Sequence, residues 1–149
     1  MEIAAKIDHL VQKYKDMNSW EDRYKSIIQD GKKMDSLDQE YLLDKYKVNG
    51  CQSQVWLIPS LESGKVYFKA DSDAMLVKGI IHLLVSVYSG STPQEIMETK
   101  ADFLKQIGIT EHLSMNRSNG LASMVKQIQM YAIAFKSLTD KGINDVDKF

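Results

Sequence analysis

The sequence predicts an α+β domain in which a small antiparallel sheet of about three strands is covered by helices. Three observations support this fold class. Helical periodicity fills the first and last thirds of the chain, and two short segments between them are rich in β-branched and aromatic residues. A turn-forming segment joins those two segments. The length of 149 residues suits one core, so we expect a single domain over 1–149.

Two amphipathic helices are predicted before the sheet. Apolar side chains between Ile3 and Tyr14 recur at helical spacing, and a second apolar stripe begins at Trp20. Ser19 is the predicted N-cap of the second helix, and Gly31 is its predicted end.

The sheet is predicted from three short segments. A first strand is expected at 46–48, and strands at 54–58 and 65–68 are expected to pair as a hairpin. The connecting segment 59–64 contains turn-forming residues. Pro59 is expected to end the strand that precedes it, because proline cannot donate to a ladder.

Helices are predicted again after the sheet. Ser72 is expected to cap a helix whose residues 74–88 are apolar nearly all round, which is typical of a central, buried helix. A capping-box pattern at 92–95 begins a shorter helix, and an apolar face over 121–138 predicts a long last one. The polar segment 140–149 is expected to fray.

Charge and hydropathy exclude several classes of function. Lys and Arg number 19 against 20 Asp and Glu, so the net charge of -1 gives no field suited to nucleic acid or an anionic membrane. No apolar run is long enough for a membrane-spanning helix, and the first residues lack the pattern of a signal peptide. We expect a cytoplasmic protein with no nucleic-acid or membrane partner.

Cys51 is the only cysteine of the chain. A single thiol excludes an internal disulfide, a CxxC redox pair and a zinc or cluster site made of several cysteines. One interpretation is that Cys51 is a small buried apolar residue, as free cysteines often are. The small and polar neighbours at 49–50 and 52–53 favour an accessible loop at the edge of the sheet instead.

A reactive loop thiol suits a cysteine hydrolase, a peroxide-reacting protein or a sulfur carrier. A hydrolase needs a histidine base and a group that orients it. His9 and His82 are interpreted as solvated surface residues. His112 is either a candidate base or a brace of the last helix. The residues themselves leave these alternatives open.

Three blocks of sequence resemble the SufE-type sulfur acceptors, a family that includes the CsdE branch. The blocks are Gly50–Trp56, Asp71–Gly79 and His112–Leu121, and they follow one another in the order and at the spacing of that family. The resemblance covers residues 18–138. At position 115 this chain has methionine where the family more often has proline, which predicts a less rigid loop before the last helix.

The resemblance implies a fold shared with the U-type cluster scaffold proteins and a role in iron–sulfur cluster assembly. Cys51 aligns with the cysteine that accepts persulfide sulfur from a SufS-type cysteine desulfurase. The pyridoxal phosphate belongs to that partner, so this chain is expected to bind neither cofactor nor metal. It is expected to be a sulfur-transfer accessory protein and not an enzyme. A SufB-type scaffold complex is the implied downstream acceptor, and a homodimer is left open.

Four more residues match family positions that support the cysteine loop or dock the partner, namely Gln52, Ser53, Asp73 and Arg117. Asp73 has the plainer interpretation of a charge at a helix N-terminus. Arg117 has that of a surface ion pair or a loop brace. A docking-only module, which activates the desulfurase without carrying sulfur, is the alternative function.

Transfer of sulfur through Cys51 also predicts how ionised and how sheltered its thiol should be. Arg117 or the N-terminus of the helix after Ser72 is expected to raise the thiolate fraction of Cys51, whereas a nearby Asp73 would lower it. Cys51 is expected to be partly sheltered, with Val55 and Trp56 providing the shelter, and to extend when the partner docks.

Overall fold

The computed structural model describes residues 2–147 and has the predicted α+β architecture, with two strands in its sheet instead of about three. The helices are α1 (Ile3–Lys15), α2 (Trp20–Lys32), α3 (Met75–Tyr88), α4 (Pro93–Glu98), α5 (Phe103–Gln106) and α6 (Met115–Asp140), with short 3₁₀ helices at Gln39–Tyr41 and Asp44–Tyr46. The strands are β1 (Val55–Glu62) and β2 (Lys65–Ser72), which pair antiparallel.

The segment expected to be a first strand pairs with the sheet at a single bridge. Lys47 lies opposite Trp56, and the Val48 N–H donates to the Val55 carbonyl oxygen at 2.8 Å. A 3₁₀ turn precedes this bridge and the Cys51 loop follows it. The chain therefore has no room for a longer ladder.

Pro59 lies inside β1 opposite Phe68, and not at the end of the strand. The Phe68 N–H points away from β1 and donates to Ser89 Oγ at 3.1 Å, so this pair exchanges no ladder bonds. The backbone nitrogen of Pro59 consequently faces the outer side of β1, away from β2. Its lack of an N–H therefore costs no hydrogen bond of the ladder. The turn is made by Ser63 and Gly64, whose positive φ values of 51° and 78° suit a two-residue hairpin loop.

Both edges of the sheet are covered by the chain itself. Along β2, the Val66 N–H donates to the Ser91 carbonyl oxygen at 2.8 Å. Along β1, Leu61 exchanges two backbone hydrogen bonds of 2.8 Å with Val146. The segment 140–149 was expected to fray, but Val146 pairs with β1. Backbone hydrogen bonds can form in a polar segment because they do not depend on its side chains. Residues 148–149 lie outside the described residues.

The predicted central helix is confirmed as α3, which packs against β2, α1, α2 and α6. It begins at Met75 with Ala74 as N-cap, because Ser72 is the last residue of β2 and its hydroxyl caps a turn by accepting from the Ala74 N–H at 3.3 Å. The closest helix crossing joins α2 to α3, where Gly31 and Gly79 face each other. A Cβ built on Gly31 would lie 2.6 Å from the Gly79 Cα.

Within residues 2–147, no helix has both the length and the apolar character that a bilayer-spanning segment requires.

Candidate functional site

Cys51 lies in the loop between the Val48 bridge and β1, and its side chain contacts the first turns of α6. The thiol is half-buried, and it donates to the Gly120 carbonyl oxygen over a sulfur–oxygen distance of 3.6 Å. A Cβ added at Gly120 would lie 3.3 Å from Cys51 Sγ. The absent side chain of Gly120 therefore leaves room for this contact, since a Cβ there would push Sγ back by a few tenths of an ångström.

A second close contact fixes the same loop on α6. Gly50 has a φ of 92°, a conformation that side-chain-bearing residues rarely adopt. A Cβ at Gly50 would lie 2.5 Å from the Ser123 Oγ. Ser123 follows Gly120 by three residues, so both contacts lie on one face of α6. The cysteine loop thus rests on α6 at two successive residues.

A pocket of about 80 Å³ opens beside the thiol. Its walls come from the cysteine loop, α3 and α6, and its lining residues besides Cys51 are Gln52, Ser53, Val77, Ile80, Asn116, Arg117, Gly120 and Met124. The apolar side chains among them belong to the two helices, whereas the loop supplies polar ones. The site therefore combines an apolar interior with a polar rim.

The expected shelter by Val55 and Trp56 is wrong, because neither residue lines this pocket. Successive residues of a strand point to opposite faces, which separates the two side chains. Val55 packs into the main core, and Trp56 packs with Tyr46 and Ile58 in a second cluster. The helices α3 and α6 provide the shelter instead.

Burial raises the pKa of the Cys51 thiol above its ordinary value. The free protein consequently holds Cys51 mainly as the neutral thiol near neutral pH. This direction is opposite to the expected increase in the thiolate fraction. Arg117 does line the pocket, but burial of the sulfur is what sets the direction of the pKa shift.

Asp73 supports the cysteine loop from outside the pocket. Its carboxylate accepts from the Gln54 N–H at 3.0 Å and from Gln54 Nε2 at 3.4 Å. In return, the Asp73 N–H donates to the Gln54 carbonyl oxygen at 3.3 Å. Asp73 precedes the first turn of α3, so the interpretation as a charge within that turn does not hold. It joins the end of the cysteine loop to the start of α3.

Arg117 lies in the first turn of α6, at the mouth of the pocket. Its backbone N–H donates to the Ser114 Oγ at 3.3 Å, which caps the helix. Within residues 2–147 its exposed guanidinium forms no ion pair, so the side chain is available to a partner. Met115, at the position where proline was expected, is 79% exposed. Ser114 thus begins α6 without help from a proline.

The histidines lie away from the cysteine. His112 is exposed and stacks on Trp20 with ring centroids 4.4 Å apart. His9 is exposed, whereas His82 is half-buried on α3, where burial lowers its pKa. None of these three lines the Cys51 pocket. The hydrolase alternative therefore lacks a base beside the thiol.

Two residues of the site, Gly120 and Ser123, were not predicted from the sequence. Gly120 lies inside the block His112–Leu121, and Ser123 lies just after it. The available signal was a glycine within a long helical pattern, which often marks a close approach of backbone. Across residues 2–147, no three His, Cys, Asp or Glu side chains converge in a way that suits a metal ion.

Comparison with known proteins identifies the family. The family model described as "SufE: Fe-S metabolism associated domain" matches residues 8–132. An uncharacterised SufE-like protein of Synechocystis is 39% identical over 132 residues, which cover 89% of this chain and 81% of that protein. One of Rhizobium etli is 38% identical over 130 residues, covering 84% and 88%.

Two further comparisons extend this result. A chloroplastic/mitochondrial SufE-like protein of Arabidopsis thaliana is 34% identical over 133 residues, which cover 89% of this chain but 36% of that protein. A hypothetical protein from Thermus thermophilus, with a solution structure, has a TM-score of 0.74 at 21% identity over 89% and 96% of the two chains, which shows a shared fold. The family match and the sequence identities together establish that this chain belongs to the SufE family, which is associated with iron–sulfur metabolism.

Proposed function

We propose that this chain is a sulfur acceptor and carrier. Cys51 takes persulfide sulfur from a pyridoxal-phosphate-dependent cysteine desulfurase of the SufS type and passes it to a SufB-type scaffold complex. In this scheme, acceptance of sulfur by Cys51 also stimulates the desulfurase. The observation that supports the proposal most strongly is the placement of the only cysteine, in a surface loop beside a small, partly apolar pocket.

The transfer step is an exchange between sulfur atoms. The Cys51 thiolate attacks the terminal sulfur of the desulfurase persulfide and forms a new sulfur–sulfur bond. The bond between that terminal sulfur and the desulfurase sulfur breaks, and its electron pair stays on the desulfurase, which leaves as a thiolate. This thiolate takes up the proton that Cys51 lost. No external oxidant or reductant is needed, because the reactants and the products each contain one thiol and one persulfide.

The geometry of the free protein suits a carrier that is inactive until it docks. Burial holds Cys51 as the neutral thiol, which is a poor nucleophile. Attack on a partner's persulfide also requires an open, in-line approach to Sγ, which the contact with Gly120 obstructs. We expect the cysteine loop to leave α6 when the desulfurase binds.

A docking-only module remains the second candidate. Arg117 lines the pocket, and the exposed Met115 lies two residues before it on α6, so this end of the helix offers a partner both charge and apolar surface. In this alternative, binding of the surface to the desulfurase is sufficient to activate it, and the Cys51 thiol takes no part in the reaction. The two functions differ in whether Cys51 gains sulfur.

The deciding experiment is intact-mass spectrometry of the reduced chain after incubation with a catalytic amount of a SufS-type desulfurase and free cysteine. We expect a gain of about 32 Da, one sulfur atom per chain, because sulfane transfer adds sulfur without other change. Cys51→Ser should show no gain and no stimulation of desulfurase turnover.

Two outcomes would count against the relay. Stimulation by Cys51→Ser equal to that by the wild-type chain would favour the docking-only module. An unchanged wild-type mass, with a desulfurase that turns over cysteine, would contradict sulfur acceptance from that partner.

A further inference from the structure

The contact between Cys51 and α6 has a feature that sulfur acceptance alone does not explain. The atom facing the sulfur is a carbonyl oxygen, that of Gly120, at 3.6 Å. A carbonyl oxygen only accepts hydrogen bonds, so it matches the protonated thiol, which has a hydrogen to donate. A thiolate at the same place would face the negative end of the carbonyl dipole.

The surroundings of this contact offer the thiolate little compensation. From α3, the pocket receives Val77 and Ile80, and from the interior side of α6 it receives Met124. The loop residues Gln52 and Ser53 are uncharged. Among the lining residues Arg117 alone carries charge, and it is exposed at the mouth of the pocket. An anionic sulfur is therefore favoured outside the contact with Gly120.

The contact is also sterically selective. A Cβ on Gly120 would press on Sγ from 3.3 Å and shift it by a few tenths of an ångström, and a Cβ on Gly50 would meet the Ser123 Oγ at 2.5 Å. Filling either space therefore loosens the fit of the loop on α6. We refer to Gly50, Cys51, Gly120 and Ser123 together as the thiol seat.

We propose that Gly120 is a positioning residue whose carbonyl oxygen and missing side chain hold Cys51 in the thiol seat as the neutral thiol, and that loss of the thiol proton releases Cys51 from the seat. The inference deepens the proposed sulfur transfer and rests on it for its biological meaning. The proton passes to water or buffer, and no bond between heavy atoms changes. Release and nucleophilicity thus arise in one event, so Cys51 becomes reactive only as it leaves α6.

The test is the pH dependence of Cys51 alkylation by iodoacetamide in the intact chain, without any desulfurase. The variants are Gly120→Ala and Gly120→Val, which place one and three carbon atoms against Sγ. Near neutral pH we expect alkylation to be severalfold faster in Gly120→Ala than in wild type, because a looser thiol seat lowers the thiol pKa and so raises the thiolate fraction. Gly120→Val should be at least as fast.

The pH profile separates coupled release from simple opening. As pH rises past the apparent pKa of the wild-type thiol, the wild-type seat empties and the rates of variant and wild type should converge. A rate ratio that stays constant with pH would mean that Gly120 only opens the loop, and it would overturn the proposal. Equal profiles for wild type and both variants would overturn it as well.

Asn119→Ala is the matched control, since it changes an exposed neighbour on α6 and leaves the thiol seat intact. An effect equal to that of Gly120→Ala would overturn the proposal. Folding is not expected to confound the comparison, because alanine in place of glycine favours a helix by about 1 kcal/mol and valine by less. A short peptide spanning residues 48–54 gives a second reference, and its apparent thiol pKa should lie below that of the wild-type chain.

The test is independent of the proposed function. A failure of sulfur transfer in the mass experiment leaves the alkylation profiles unaffected. A failure of the alkylation test leaves Cys51 able to accept sulfur by another route.

Discussion

At the scale of single residues, Asp73 acts on the cysteine loop through hydrogen bonds and not through a helix terminus. Both carboxylate oxygens accept from Gln54, which lies three residues after Cys51. The bonds are solvent-exposed, so their net contribution is modest, but they fix the point at which the loop enters β1. The loop that carries Cys51 is therefore held at both ends, by the Val48 bridge and by the Gln54 bonds.

We predict that Asp73→Ala lowers the free energy of unfolding by about 1 kcal/mol, because the Gln54 N–H loses its acceptor. Urea denaturation measures the change. Asp73→Asn keeps one acceptor oxygen and should recover most of the loss. Equal losses in the two variants would show that charge, and not the hydrogen bond, is what the loop requires.

At the scale of elements, the crossing of α2 and α3 fixes the frame that carries the site. A Cβ on Gly79 would lie 2.4 Å from the Ile27 carbonyl oxygen, and this oxygen belongs to helix backbone that cannot move aside. The closeness of the two helices thus depends on glycine. Since α3 also supplies Val77 and Ile80 to the pocket, the crossing positions one wall of the pocket beside the thiol.

We predict that Gly79→Ala destabilises the chain by about 3 kcal/mol or more, because the added methyl group forces α2 and α3 apart. The same substitution at Gly120 should leave the stability equal or higher, since only the side chain and loop of Cys51 face that position. Thermal unfolding followed by circular dichroism compares the two. A Gly79→Ala protein as stable as wild type would show that the crossing can relax.

Sequence patterns predicted the elements better than their ends. Pro59 was expected to stop a strand, yet a proline on the outer side of β1 costs no ladder bond, and only the pairing register reveals which side it occupies. The strand expected at 46–48 is a single bridge at Lys47, because composition indicates a tendency to pair but not how far the pairing extends. Val146 pairs through its backbone, which side-chain patterns do not report.

The candidate site was predicted only in part, because sequence patterns do not show contacts between distant segments. Cys51 was identifiable as a single thiol among small and polar neighbours, and three matched blocks supported it. Its contact with Gly120 joins positions 69 residues apart. A contact between residues so far apart in the sequence depends on how α6 packs against the cysteine loop. The periodicity of apolar residues within one helix does not show this packing.

At the scale of the whole molecule, the core contains tyrosine hydroxyls whose ionisation destabilises the fold at high pH. Burial raises the pKa of Tyr14 and of Tyr88 from 10.0 to about 12. A group whose pKa is raised on folding stabilises the fold fully below its unfolded pKa, and that stabilisation is lost as pH rises toward its folded pKa. The loss falls between about pH 10 and about pH 12 for both tyrosines.

We predict that the free energy of unfolding declines over this interval by up to about 3 kcal/mol for each of the two tyrosines. Tyr14→Phe should make the decline smaller, because it removes one of the ionising groups. Tyr67→Phe, at an exposed tyrosine, is the control and should leave the decline unchanged. Chemical denaturation at a series of alkaline pH values gives the measurement, and equal declines in both variants would contradict the assignment.

The covered edges of the hairpin have a consequence for behaviour at high concentration. A free strand edge is a template on which other chains add strands and aggregate. Here the segment around Ser91 closes one edge, and Val146 closes one end of the other. Pro59, in the middle of that second edge, has no N–H with which to recruit a foreign strand. The pairing at Ser91 and Val146 and the position of Pro59 therefore protect the sheet against amyloid-like growth, and the proposed release of Cys51 would change none of the three.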